Sequence, residues 1–131
     1  MDNFQDSLGL PIHWTEWIPL KDAWKGPQLP KTAGLYRIKR EHFDGIDYIG
    51  QTGTGTMTLR KRIAMLKGVY GDEMPYNDPH TAGPGLWALL REHNDPFLVS
   101  TVSTGGDTQF RKGLECLAIS SHRMETGVSP T

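Results

Sequence analysis

Two tyrosines, an arginine and a glutamate occur in an order that suits phosphodiester chemistry. The triplets Gly34-Leu35-Tyr36 and Tyr48-Ile49-Gly50 leave eleven residues between the phenols, and Arg62 and Glu115 follow. A phenol can handle a proton, a guanidinium can hold a phosphate, and a carboxylate can ligate a hard divalent cation. Brought together, these groups would form a single-metal site beside a phosphodiester.

Arg62 interrupts the apolar stripe of a predicted helix. Leu59, Ile63 and Leu66 recur at i, i+4 and i+7, the spacing of one helical face. Arg62 is three residues after Leu59 and four before Leu66, so it lies within that stripe and is directed at the sheet. The planar guanidinium group can donate two hydrogen bonds to a phosphate. The alternative is that an arginine at the edge of a core extends its charged end into water.

Glu115 flanks the apolar face predicted for the last helix, which consists of Phe110, Leu114, Leu117, Ala118 and Ser121. A carboxylate at the margin of a core can hold Mg²⁺, which keeps most of its waters and takes only one or two carboxylates. The alternative is a surface glutamate paired with Arg111 at i−4. Gly113, inside this helix, costs it about 1 kcal/mol relative to alanine, and close backbone approach is one reason for a glycine there.

The tyrosines need a hairpin to bring them together. Residues 35–40 and 46–49 have strand character, and a five-residue loop with Asp44-Gly45 joins them. This loop length pairs Arg40 with Ile46 and Ile38 with Tyr48. Tyr36 and Tyr48 then lie diagonally on one face of the hairpin.

Further elements follow from periodicity and end signals. Thr58 can cap the basic helix and Gly68 can end it. A helix is predicted over 85–93, a third strand over 97–104, and a last helix reaching about Glu125. Inward positions of the second helix are Leu86, Leu89 and Leu90.

Residues 1–32 form an irregular arm in which prolines alternate with Trp14, Trp17 and Trp24. Prolines disfavour long helices and central strands. Tryptophan is chiefly a large hydrophobe, so we expect the arm to pack over a domain formed by residues 33–131. The alternative is that these rings stack on nucleic acid bases.

The overall composition describes one soluble domain of 131 residues with a net charge of −1. Residues 31–67 differ from the rest, with eight basic and three acidic side chains and a net +5, which suits a local grip on nucleic acid or a solvated surface. No apolar run approaches a membrane span, and the acidic N-terminus lacks a signal-peptide core. One cysteine, Cys116, excludes an intrachain disulfide and favours a cytoplasmic setting.

Taken together, the two triplets, Arg62 and Glu115 resemble the GIY-YIG endonuclease superfamily over residues 33–131. The resemblance implies an α+β fold, with a small central three-stranded antiparallel sheet flanked by helices. It implies metal-dependent cleavage of DNA in which Tyr36 or Tyr48 is the general base, with Tyr36 favoured. Arg62 would hold the scissile phosphate, and Glu115 would ligate one Mg²⁺ or Mn²⁺.

The resemblance also implies DNA as partner, with candidate phosphate contacts at Gln51, Arg60, Lys61, Lys67 and His80. One such site cuts one strand. Cleavage of both strands of a duplex therefore needs either a homodimer or two successive binding events by one domain. Gln51 stands where many members carry lysine. The chain reaches Ser129-Pro130-Thr131 without the asparagine that the family places after a proline, which predicts C-terminal truncation. The alternatives are a DNA-binding module that has lost turnover and a protein-interaction domain using the arm.

Overall fold

The computed structural model describes residues 4–5, 11–52, 56–75, 82–104 and 108–126. Six strands and three α-helices occur in these ranges: β1 (Phe4–Gln5), β2 (Pro11–Ile12), β3 (Ile18–Pro19), β4 (Gly34–Arg40), β5 (Tyr48–Gln51), α1 (Leu59–Ala64), α2 (Ala82–His93), β6 (Phe97–Ser103) and α3 (Thr108–Thr126). Two 3-10 helices cover Ala23–Lys25 and Met65–Tyr70. The predicted α+β class is confirmed.

The central sheet has four antiparallel strands in the order β3-β6-β4-β5, where the resemblance implied three. The additional edge strand comes from the arm, because Ile18 pairs with Val99 and Pro19 with Leu98. A proline is tolerated at this position because an edge strand needs ladder donors on one side only. The arm therefore contributes a strand to the sheet and also covers the core. β1 and β2 form a separate two-stranded sheet.

Alternation along β4 divides the core into two layers. Tyr36 and Ile38 face one layer, which α1, the 3-10 helix after it and α2 cover through Leu59, Ile63, Leu66 and Leu86, together with arm residues Leu20 and Leu29. Leu35 faces the other layer, where it packs with Trp14, Ile49 and Ala118 of α3. Since successive side chains of a strand point to opposite faces, one strand serves both layers.

The hairpin has the predicted register over part of its length. Ile38 pairs with Tyr48 as expected, but the β4–β5 ladder ends there and the expected Arg40–Ile46 pair does not form. Asp47 takes that place: its carboxylate accepts from the Arg40 backbone N–H at 2.8 Å and from the Arg40 guanidinium at 3.0 Å. A buried carboxylate paired in this way closes the loop.

α1 begins as predicted but ends early. The Thr58 side chain accepts a hydrogen bond from the Lys61 N–H, so the predicted cap is confirmed. Gly68 does not end the helix: α1 stops at Ala64, and the chain continues as a 3-10 helix through Gly68 to Tyr70. Leu66 and Val69 are fully buried on this segment. This apolar packing holds the tighter helix on the core despite the glycine.

α3 presents a different face to the sheet from the one predicted. Phe110 and Leu117 are 56% and 38% exposed, whereas Arg111 and Ala118 are buried; the Ser121 side chain lies outside the description. The contact face therefore runs through Arg111, Leu114 and Ala118, with Glu115 half-buried on the same side. The prediction from apolar residues chose the wrong face of α3, because the largest buried side chain on the true contact face is an arginine, Arg111.

The predicted inward face of α2 is confirmed. Leu86 is buried, and Leu89 and Leu90 pack against the core. Trp14 is 1% exposed, and the Arg37 guanidinium lies between the rings of Trp14 and Trp17, at 4.6 and 4.4 Å from their centroids. These cation–π contacts hold the arm on the α3 side of the sheet.

None of the described helices is long and apolar enough for a membrane crossing.

Candidate active site

The two tyrosines of the triplets meet above the glycine of the second triplet. The ring centroids of Tyr36 and Tyr48 are 5.9 Å apart, and the ring planes are inclined by 33°. Tyr36 pairs with Gly50 across the ladder. A Cβ on Gly50 would lie 2.6 Å from both Tyr36 Oη and Tyr48 Cε2. Because Gly50 has no side chain, the Tyr36 phenol can lie directly over it.

The glycine of the first triplet allows a second close approach. A Cβ on Gly34 would collide with the carbonyl oxygen of Val102 and lie 2.8 Å from Leu59 Cδ1. Gly34 also accepts a hydrogen bond from Thr52 N–H at 3.1 Å. The first triplet thus brings β4 against both β6 and the start of the basic helix, which places that helix beside the tyrosines.

Arg62 is directed at the end of β5. Its Nη2 donates to the Thr52 carbonyl oxygen at 2.9 Å, and its Nε–H is buried without a hydrogen-bond partner among the described residues. The neighbouring basic residues serve other purposes. Arg60 donates to the carbonyl oxygens of Trp24 and Leu29, both at 2.8 Å, and Lys61 is exposed. Of the three, Arg62 is the cation beside the tyrosine pair.

Glu115 lies on the inner side of α3 and is partly shielded from water. Burial raises the pKa of its carboxyl group above the ordinary value, and the charge of Lys112 opposes this shift. An anion that has lost part of its hydration gains from a nearby cation. The residue is a hard oxygen donor in a setting that favours a cation.

Three of the predicted residues, Tyr48, Arg62 and Glu115, act on the phenol of the fourth, Tyr36. Burial is the main cause that raises its pKa well above the usual value. Tyr48 raises it further, through its charge and a hydrogen bond; Glu115 also raises it, and Arg62 lowers it. Tyr48 is paired with Tyr36 through its ring, and Arg62 of α1 and Glu115 of α3 lie within electrostatic range of the Tyr36 phenol.

Arg111 is a member of this region that sequence analysis considered only as the partner of a surface Glu115. It is 1% exposed, and its Nε donates to Gln51 Oε1 at 3.2 Å. The signal was present in the spacing: Arg111 precedes Glu115 by four residues and Ala118 by seven, so all three share a helical face. Gln51, a candidate phosphate contact, is engaged by this arginine.

The other candidate phosphate contacts have varied positions. Lys61 is exposed on α1, whereas the Arg60 guanidinium is held by the arm. The Lys67 side chain and the whole of His80 lie outside the described part of the chain. Gly113 has no neighbour within 4 Å of an added Cβ, so close packing within the described protein does not explain it.

Two features elsewhere have the character of sites. Glu41, His42 and Asp95 bring ligand atoms within 4.8 Å of one another at the surface, and the His42 Nδ1 is 3.0 Å from Asp95 Oδ1. A cavity of about 390 Å³ is lined by residues of the arm and of β6: Thr15, Glu16, Ile18, Gln28, Leu29, Val99 and Thr101. Neither feature includes any of the four predicted site residues.

Comparison with known proteins assigns no family to the chain. A scan against protein-family models, a search of curated proteins and a search of solved structures each found no match.

Proposed function

We propose that the chain is a divalent-metal-dependent DNA endonuclease of the GIY-YIG type. The observation that carries this proposal is the Tyr36–Tyr48 ring pair, with Arg62 and Glu115 of two other elements within electrostatic range of the Tyr36 phenol. A proton acceptor, a phosphate ligand and a metal ligand are the groups that single-metal hydrolysis of a phosphodiester needs.

Arg62 is suited to hold the scissile phosphate. One arm of its guanidinium is fixed on the Thr52 carbonyl oxygen, so the orientation of the fork is set before substrate binds. A preorganised cation stabilises negative charge that develops on the phosphoryl oxygens in the transition state. The exposed Lys61 on the same helix would contribute to holding the DNA backbone.

Tyr48 is better suited than Tyr36 to act as the general base, which revises the preference drawn from the sequence. Tyr36 is completely buried, and burial raises its pKa well above the usual value, so it keeps its proton at neutral pH. Tyr48 is partly exposed and hydrogen-bonded to Tyr36. A protonated Tyr36 can donate a hydrogen bond to the Tyr48 oxygen and hold it in place to accept a proton from water.

Glu115 would hold one Mg²⁺ or Mn²⁺. The partly buried carboxylate fits such an ion by its oxygen chemistry, and one carboxylate is sufficient for a cation that retains most of its waters. When bound, the ion supplies neutralisation of charge at the phosphate and the leaving oxygen.

A plasmid-nicking assay tests the proposal. The protein should convert supercoiled plasmid to the nicked form with Mg²⁺ or Mn²⁺ and leave it intact with a chelator. Intact plasmid with retained, salt-sensitive DNA binding would support a binding module without turnover. Absence of both activities at low salt would favour a protein-interaction domain. A homodimer, needed for concerted cleavage of both strands, is tested by sedimentation on DNA.

A further inference from the structure

Arg111 is a fully buried cation in an unusual position. Among the described residues it is one of the two largest side chains with almost no exposure, the other being Trp14. Burying a guanidinium requires hydrogen bonds to offset the lost hydration. One such bond joins α3 to β5: Arg111 Nε donates to the Gln51 side-chain oxygen at 3.2 Å.

Gln51 and Thr52 form a junction between the two layers of the protein. Gln51 accepts from Arg111 on the α3 side of the sheet, and Thr52 accepts from Arg62 on the α1 side. Thr52 is itself fixed, because its N–H donates to Gly34 O at 3.1 Å. Two arginines from opposite faces of the sheet are thus held by consecutive residues at the end of β5.

We propose that Arg111 is a positioning residue, whose contact with Gln51 fixes α3 on β5 and thereby sets Glu115 beside the tyrosine pair. Glu115 follows Arg111 by four residues, which places the two on one face a single turn apart. The inference rests on the proposed function only for the role of Glu115 as a metal ligand. The mechanical link between α3 and β5 does not depend on it.

Two substitutions separate the contact from the charge. The amide nitrogen of glutamine is the same number of bonds from Cα as arginine Nε. Arg111→Gln therefore removes the charge and keeps a donor facing Gln51, whereas Arg111→Met removes both. Lys112→Met is the matched control, since it removes one positive charge from an exposed position on the same turn. Gln51→Leu breaks the same contact from the strand side.

Amide hydrogen exchange and Mn²⁺ titration of the whole chain without DNA test the inference. Arg111→Met should lower the protection of α3 amides about tenfold, the effect of one hydrogen bond, and weaken Mn²⁺ binding about tenfold or more. Arg111→Gln should stay within about threefold of wild type in both, and Lys112→Met should leave α3 protection unchanged. If Arg111→Met does not fold, Gln51→Leu should show the same two losses.

Equal protection of α3 in the methionine and glutamine variants would overturn the inference, because the contact would then have no separate effect. Lower protection without weaker Mn²⁺ binding in a wild type that does bind Mn²⁺ would overturn it too, since the role would then be stability alone. A wild type that neither binds Mn²⁺ nor nicks DNA, with the exchange difference intact, would instead defeat the proposed function and leave the fixing of α3 by Arg111 established.

Discussion

Tyr36 and Tyr48 lie on one face of the β4–β5 hairpin, with ring centroids 5.9 Å apart. The pairing is diagonal: Tyr36 is opposite Gly50, and Tyr48 is opposite Ile38. Diagonal neighbours in an antiparallel pair are close enough for aromatic side chains to touch. The glycine opposite Tyr36 leaves space for the phenol to extend over β5.

Gly50→Ala should disturb this pair directly. The added methyl group would lie 2.6 Å from both Tyr36 Oη and Tyr48 Cε2, so one ring must move within a packed layer. We expect the free energy of unfolding to fall by about 1–3 kcal/mol, as for overpacked cores, and nicking to fall in the protein that remains folded. Chemical denaturation and a plasmid assay measure the two effects; wild-type stability and activity would contradict the close packing of the rings.

Arg60 and Arg62 offer a contrast within one helix. Arg62→Lys should lower the nicking rate by about a hundredfold, as expected when one preorganised donor to a developing charge is lost, with little change in stability. Arg60→Met should leave the rate nearly unchanged but lower the free energy of unfolding by about 2 kcal/mol, since two hydrogen bonds to the arm are lost. The reverse pattern would assign the phosphate to Arg60.

Glu115→Gln separates the chemistry from the fold. Nicking should fall by more than about a hundredfold, as for loss of the metal ligand, whereas Glu92→Gln at an exposed position on α2 should have no effect. Full activity in Glu115→Gln would remove this residue from the mechanism.

The same variant has a pH signature. Burial raises the pKa of Glu115 in the folded protein above the ordinary value of 4.5, so the folded state binds this proton more tightly than the unfolded chain. The stability of the wild type therefore falls as pH rises from the unfolded to the folded pKa. Glu115→Gln lacks this loss, so in metal-free buffer it should be relatively more stable at pH 7 than at pH 4. A constant difference in thermal midpoint between the two pH values would argue against burial of the carboxyl group.

The sequence predicted the local elements better than the way they combine. Tyr48 opposite Ile38 and the cap at Thr58 followed from loop length and capping chemistry, which act between near neighbours. The strand at Ile18 was not predicted, because two residues that include a proline carry no strand pattern. The buried face of α3 was misassigned because hydrophobic periodicity cannot recognise a buried arginine such as Arg111.

For the candidate site too, the sequence indicated individual residues better than their contacts and burial. Apolar spacing correctly indicated that Arg62 points to the sheet, and the two triplets indicated the tyrosine pair. The preference for Tyr36 as base could not be judged without knowing that this ring is buried and Tyr48 is not. The Gln51–Arg111 contact spans two elements and left no local pattern.

Gly113 provides a test of α3 away from the site chemistry. An added methyl group would meet nothing within 4 Å, and alanine favours a helix over glycine by about 1 kcal/mol. Gly113→Ala should therefore raise the free energy of unfolding by about 0.5–1 kcal/mol without lowering the nicking rate. A stabilised but inactive variant would show instead that DNA or another partner approaches the helix at this glycine.

The anomalous difference map of a crystal soaked in Mn²⁺ tests most directly whether Glu115 is the metal ligand. If it is, a peak will lie about 2.1 Å from a Glu115 carboxylate oxygen, on the side that faces the Tyr36–Tyr48 pair. A peak at the surface group of Glu41, His42 and Asp95, with no density at Glu115, would contradict it.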